Sequence, residues 1–185
     1  MARELLGCVF VHASDEGPTS VRLVEVEAYR GPLDPGSHGY RGPTQRTRTM
    51  YGPPGHLYVY FTYGMHWCAN VVCARDGVCQ AVLLRAGEPV EGLELMRARR
   101  KGGQNTRLLA SGPARLTQAM GIGKQHDAAT LLRGGSFFFL RDEKTDEIQG
   151  SEIAETLRVG LAAGRGDDLP WRFVVRNHPF ASRRF

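Results

Sequence analysis

Two carboxylates stand two residues apart in Glu25-Val26-Glu27-Ala28-Tyr29. The surrounding segment, Val21 to Tyr29 (VRLVEVEAY), alternates with period two and reads as a strand. On it Val24, Val26 and Ala28 face one way, and Leu23, Glu25, Glu27 and Tyr29 the other. Strand rise places the two carboxylates roughly 7 Å apart on one face. A carboxylate beside an aromatic ring, at the entrance to a basic loop, is a candidate general base or nucleophile. The plainer reading is two solvated glutamates on an edge strand, and the strand alone favours it.

The aromatic residues shift that balance. Tyr29, His38 and Tyr60 can form a stacking box for a planar heterocycle, with Asn70 at its edge. Tyr63 sits with Gly64 and Met65 where a tight turn would carry Asn, Asp or Ser. A large side chain exposed on a turn is costly unless it enters something, and for a basic protein a base stack is the obvious target. Arg41, Arg46 and Arg48 follow in the loop as candidate phosphate ligands. Together these residues describe a pocket that takes a base out of its stack.

The elements that must position them follow from the pattern. Leu57 to Val72 reads as two strands and a tight turn. Leu57, Val59 and Phe61 fall on one face of the first arm, Tyr58 and Tyr60 on the other. Between Arg30 and His56 glycine and proline recur without periodicity, the mark of a functional loop when it carries His38, Tyr40 and Tyr51. The remaining expectations are a strand at Val78 to Arg85, a helix starting at Pro89, a helix from Ser111 to Met120, and a buried strand at Ser136 to Leu140. Arg141 to Glu155 reads as an acidic surface excursion, and Leu157 to Leu161 and Arg172 to Val175 as closing strands.

The chain has 185 residues, enough for one domain, with 42% hydrophobic and 23% charged residues. Net charge is +5 and the pI about 9.3, which favours polyanionic partners. There is no apolar run of membrane-spanning length and no signal peptide pattern, so a cytoplasmic, nucleoid-associated monomer with no membrane partner is expected. Of the four cysteines, Cys8, Cys68, Cys73 and Cys79, none forms a CxxC pair. Cys68 and Cys73 would face opposite ways on one strand, so buried thiols are expected rather than zinc held with His66.

Five segments resemble the alkyladenine, or 3-methyladenine, DNA glycosylase family: VEVEAYRGP (Val24–Pro32), GHLYVYFTYGMHWCANVV (Gly55–Val72), AVLLRAGEPVEGLELM (Ala81–Met96), SGPARLTQAMGI (Ser111–Ile122) and RVGL (Arg158–Leu161). They keep the family's order and cover most of the chain. The start is shorter than in longer members, Asp142 to Glu155 matches nothing in the family, and His66 stands where some members have tyrosine.

The resemblance implies roles. Glu27 matches the general base that activates water against the sugar C1′. The Val159 amide matches a group that positions that water, and Arg85 an arginine that supports it. Tyr29, His38 and Tyr60 match the residues that sandwich the flipped base. Tyr63 matches the wedge entering the minor groove, and Asn70 the side chain that clashes with the 2-amino group of guanine. The partner implied is double-stranded DNA carrying damaged purines such as 3-methyladenine or hypoxanthine, with no cofactor and no metal. Lys101, Lys124 and Lys144 lie outside these motifs, so a Schiff-base lyase step is not expected. A noncatalytic nucleic-acid module on the same basic hairpin, and a metal hydrolase built on His66 and the cysteines, are the alternatives. The fold expected is α+β, a single mixed domain over residues 1–185. It has a curved, mostly antiparallel sheet, a protruding β-hairpin and surrounding helices.

Overall fold

The structure, a computed structural model, describes residues 1–183 apart from Gly102, Gln104, Arg133 and Gln149, and only the backbone of Glu147. The described strands are β1 (Val9–Ser14), β2 (Gly17–Tyr29), β3 (Leu57–Thr62), β4 (His66–Val72), β5 (Ala81–Glu91), β6 (Phe137–Leu140), β7 (Ile153–Thr156) and β8 (Arg172–Val175). They form one sheet in the order β3-β4-β5-β2-β1-β6, with β8 also paired to β2 and β7 to β8. Every described pairing is antiparallel. The helices are α1 (Leu93–Arg99), α2 (Pro113–Ala119) and α3 (Glu143–Glu147). The α+β expectation, with the hairpin at the sheet edge, therefore stands.

The long strand β2 organises the sheet. One side pairs with β5 along most of its length. The other side pairs first with β1 and then, from Glu25 to Glu27, with β8. Glu25 and Glu27 thus lie in the sheet interior, not on an edge, and both are fully buried. Strict alternation fails because the ladder slips between Leu23 and Glu25 and again between Glu25 and Val26. Such bulges turn side chains locally, so Leu23, Val24 and Val26 are all buried.

The hairpin arms separate two cores. Leu57 and Val59 join the main apolar cluster with Phe10, Leu23, Leu84, Leu116 and Met120, over which α2 packs on β4 and β5. Tyr58 goes to the opposite cluster with Met50, Val72, Cys79 and Ala81, and Tyr60 packs against it. The hairpin turn closes with Met65 N donating to Thr62 O at 3.3 Å. Gly64 (φ +67°) and Tyr63 (φ +51°) are both left-handed there. Glycine takes that conformation freely, whereas tyrosine does so at a cost of about 1–2 kcal/mol.

Four expectations are corrected. Pro89 does not begin a helix; it lies within β5 opposite Val21. β4 pairs with β5 only from Ala81 to Leu83, so the missing N–H of Pro89 costs no ladder bond on that side. Leu157 to Leu161 is not a strand; the strand before it is β7, and 157–161 is an irregular turn. The acidic stretch lies at the surface as expected up to Glu152, but Ile153 to Glu155 belong to β7, where Ile153 and Ala154 are buried, and the stretch is anchored. Asp142 caps α3 by accepting from Thr145 N and pairs with the partly buried Arg22 at 2.6 Å. Cys8, Cys68 and Cys79 are buried free thiols as expected, but Cys73 is only partly buried. Among the described residues no group of His, Cys, Asp and Glu could hold a metal, and no helix is long and apolar enough to cross a membrane.

Candidate active site

Tyr29 ends β2 and Arg85 sits in the adjacent β5, while Tyr60 and Asn70 lie on the hairpin arms. These residues line one cavity of about 180 Å³, together with His38 and Met50 from the glycine- and proline-rich loop, Cys68 of β4, and Val159 and Gly160 of the 157–161 turn. A roughly 150 Å³ apolar cavity suffices for benzene. This one, open at its mouth, has the scale of one flat heterocycle.

Glu27 lies directly behind the wall. Its Oε1 accepts the Val159 N–H at 2.8 Å, its Oε2 accepts the Tyr29 hydroxyl at 2.9 Å, and Arg85 Nη1 is 3.3 Å from Oε1. All three groups line the cavity, so the carboxylate is fixed in orientation by two hydrogen bonds and one ion-pair contact from the wall. Burial, then the Glu27 charge, raises the Tyr29 phenol well above its ordinary value, so it remains a donor. The Val159 amide donates to the carboxylate and so orients Glu27.

The rings form a connected set. Tyr58 and Tyr60 stack at 5.3 Å, and His38 meets Tyr60 edge-on at 4.5 Å. His38 Nδ1 and the Tyr58 hydroxyl share a 3.0 Å hydrogen bond. More than a third of His38 meets solvent at the rim. Packing on the tyrosines and the nearby Arg46 charge still pull it down to about 4, so it is neutral near pH 7. Burial pushes Tyr58 up to about 12, and Tyr60 is also raised. Uncharged rings thus face the cavity. Asn70 is buried in its wall, opposite Tyr58 and Leu83 in the ladders.

Tyr63 is 76% exposed at the hairpin tip and borders the mouth. Arg41, Arg46 and Arg48 are exposed. Only Arg46 turns onto the site, its guanidinium 5.8 Å from the Tyr60 ring centre.

Sequence reasoning missed what holds the back of the cavity. Arg158 and Asp34, both fully buried, form a two-pronged ion pair with bonds of 2.7 Å each. The same guanidinium lies 4.6 Å from the Tyr29 ring centre and donates to Ala28 O and Gly166 O. The pair ties the glycine- and proline-rich loop to the turn that presents Val159. Asp34 had one local signal: followed by Pro35-Gly36 it reads as a turn residue, and its Oδ1 accepts from Gly36 N at 2.9 Å.

Comparison with known proteins identifies relatives of the chain. A model of the family described as methylpurine-DNA glycosylase matches residues 1–179. A protein of Burkholderia lata is 51% identical over 87% of this chain and 76% of its own length. One of Methanoculleus marisnigri is 48% identical over 100% of this chain and 93% of its own. One of Streptomyces avermitilis is 46% identical over 98% of this chain and 84% of its own. Each of the three is named "Putative 3-methyladenine DNA glycosylase". The match runs through every element that builds the cavity, and the chain belongs to the methylpurine-DNA glycosylase family.

Proposed function

We propose that this protein is a monofunctional DNA glycosylase that takes alkylated or deaminated purines, 3-methyladenine and hypoxanthine among them, out of duplex DNA and hydrolyses their N-glycosidic bond. The observation that carries the reading is the Glu27 carboxylate, fully buried and held by Val159 N–H, Tyr29 OH and Arg85 behind an aromatic slot of base size.

In the reaction Glu27 takes a proton from a water directed at C1′, and the base leaves with the bonding electrons of the glycosidic bond. Arg85, at the cavity wall beside Glu27, supports that water. An N3-alkylated adenine is cationic, so it leaves without a strong acid. Tyr29, His38 and Tyr60 favour such a ring by cation–π attraction worth about 1–2 kcal/mol once desolvated. A neutral His38 adds no opposing charge. Asn70 crowds the edge where guanine carries its 2-amino group. Tyr63 enters the duplex from the minor groove and fills the gap, which is why a bulky residue stands in a strained turn. Arg41, Arg46 and Arg48 are the proposed phosphate contacts.

Among the described residues no lysine lines the slot, which supports hydrolysis without a Schiff base and an abasic site as product. The proposed working unit is a monomer. The test is incubation with duplexes each carrying one lesion, scored for free base. Release from 3-methyladenine- or hypoxanthine-containing duplex is expected. Equal affinity for undamaged and damaged DNA with no free base would instead show a binding module.

A further inference from the structure

Behind Glu27 lies a second, denser cluster. Glu25 Oε1 accepts from Arg85 Nε at 2.9 Å, from Arg172 Nε at 2.6 Å and from the Ser182 hydroxyl at 2.8 Å. Its Oε2 accepts the Ser182 N–H at 2.6 Å. Glu25 and the Arg172 side chain are fully solvent-excluded, and Arg85 nearly so. Arg85 therefore bridges two carboxylates unequally, with a short hydrogen bond to Glu25 and a looser 3.3 Å contact to Glu27.

We propose that Glu25 is a positioning residue for base excision: by holding Arg85 through its Nε, it fixes how much of that guanidinium Glu27 receives, and Arg172 and Ser182 fix how strongly Glu25 can hold it. The proposal rests on Glu27 acting as the base. A guanidinium bonded fully to Glu27 would hold that carboxylate in its ionised form and make it a poorer proton acceptor. With Arg85 drawn toward Glu25, Glu27 keeps lone pairs for water. Both partners remain charged. Burial opposes the charge on Glu25, yet Arg172 and Arg85 together outweigh it. Burial likewise opposes the charge on Arg85, and Glu27 and Glu25 outweigh it.

Arg172 stands opposite Glu27 in the β2–β8 ladder, with its Nε bonded to Glu25. Tyr29 on the same strand as Glu27 donates a hydrogen bond to it, and Cys68 on β4 is a thiol whose ionisation burial suppresses. Arg158, above the Tyr29 ring, is paired with Asp34. What remains adjustable is the division of Arg85 between Glu25 and Glu27.

The test is the pH dependence of single-turnover release of 3-methyladenine and 7-methylguanine from methylated duplex by the full chain. Glu25→Gln removes a negative charge and lets Arg85 swing to Glu27, so the acid limb of the profile moves to lower pH. Arg172→Met leaves Glu25 to hold Arg85 harder and also removes the positive charge opposite Glu27, so the limb moves to higher pH. A charge within 4–6 Å displaces a titration by 1–3 units, and at roughly 7 Å of strand spacing about one unit is expected in each direction. Damage to packing alone would lower the rate without parting the limbs. Limbs that stay with wild type, or move the same way in both variants, overturn the proposal. Should either buried variant fail to fold, Ser182→Ala removes one bond from Glu25 Oε1 and must move the limb in the Arg172→Met direction by a smaller step; an unmoved limb overturns the proposal there too. Glu27→Gln is run in parallel. If it retains release, the assignment of the base falls; if it is inactive while the limbs do not part, only the role of Glu25 falls.

Discussion

Truncating Asp34 is expected to damage both stability and catalysis although its side chain does not line the slot. Asp34→Ala leaves the Arg158 guanidinium buried with its two 2.7 Å partners gone. Both side chains are fully buried, and breaking such a pair by removing one partner costs about 3–5 kcal/mol. In a chain of this size each kcal/mol lowers Tm by roughly 2–4 °C, so a fall of about 6–20 °C is expected. Replacing both members, Asp34→Leu with Arg158→Met, removes the unpaired charge. It leaves mainly the loss of two acceptors for Arg30 N and Gly36 N, about 1 kcal/mol each. The double variant should therefore recover much of the Tm. It should not recover base release, because nothing then ties the Val159 turn to the loop. Thermal unfolding and single-turnover release at 20 °C read the two effects separately. A single variant within about 1 kcal/mol of wild type, or a double variant with full activity, would refute the clamp.

Tyr63→Asn puts a residue that tolerates the left-handed turn at the hairpin tip, so Tm should rise by a few degrees, about 1 kcal/mol, while base release falls. A variant no more stable, or fully active, would count against a strained wedge. On acidification, His12, His38, His126 and His178 all lose protons more readily folded than in their ordinary state. The unfolded chain then binds more protons from about pH 6.5 downward, so folding stability must fall as pH drops from 6.5 toward 5. Denaturant titrations at pH 7 and 5 check the sign, and His38 should show an NMR titration near 4. Affinity for duplex should drop steeply from low to physiological salt, and Arg46→Ala should make that slope shallower by about one unit of log affinity against log salt. A flat dependence would exclude the basic face.

Much of this site was legible in the sequence because its residues break local rules. A tyrosine in a turn and aromatics in a glycine-rich loop need an explanation that packing alone does not give, whereas the two glutamates read alone as a solvated edge pair and the family resemblance supplied the role of Glu27. Glu27, Tyr29, His38, Tyr60 and Asn70 do meet at one cavity or its wall. What was hidden is the pairing, which has no local pattern. Arg158 meets Asp34 across 124 positions, and Arg172 meets Glu25 across 147. No periodicity pairs residues that only the folded sheet brings together. Pro89 misled because its proline signal is the same for a helix start and for a strand flank that needs no N–H there. Residues 157–161 misled because their apolar content hides a turn made by Gly160 at φ +85° and held by Arg158.

The central claim is that one buried carboxylate drives hydrolysis of a base held in the aromatic slot, and Glu27→Gln tests it most directly. The substitution keeps the side chain's shape. With duplex carrying a single hypoxanthine, binding should stay within a few-fold of wild type while single-turnover release falls by about 10²–10⁴. Release at the wild-type rate would contradict the account.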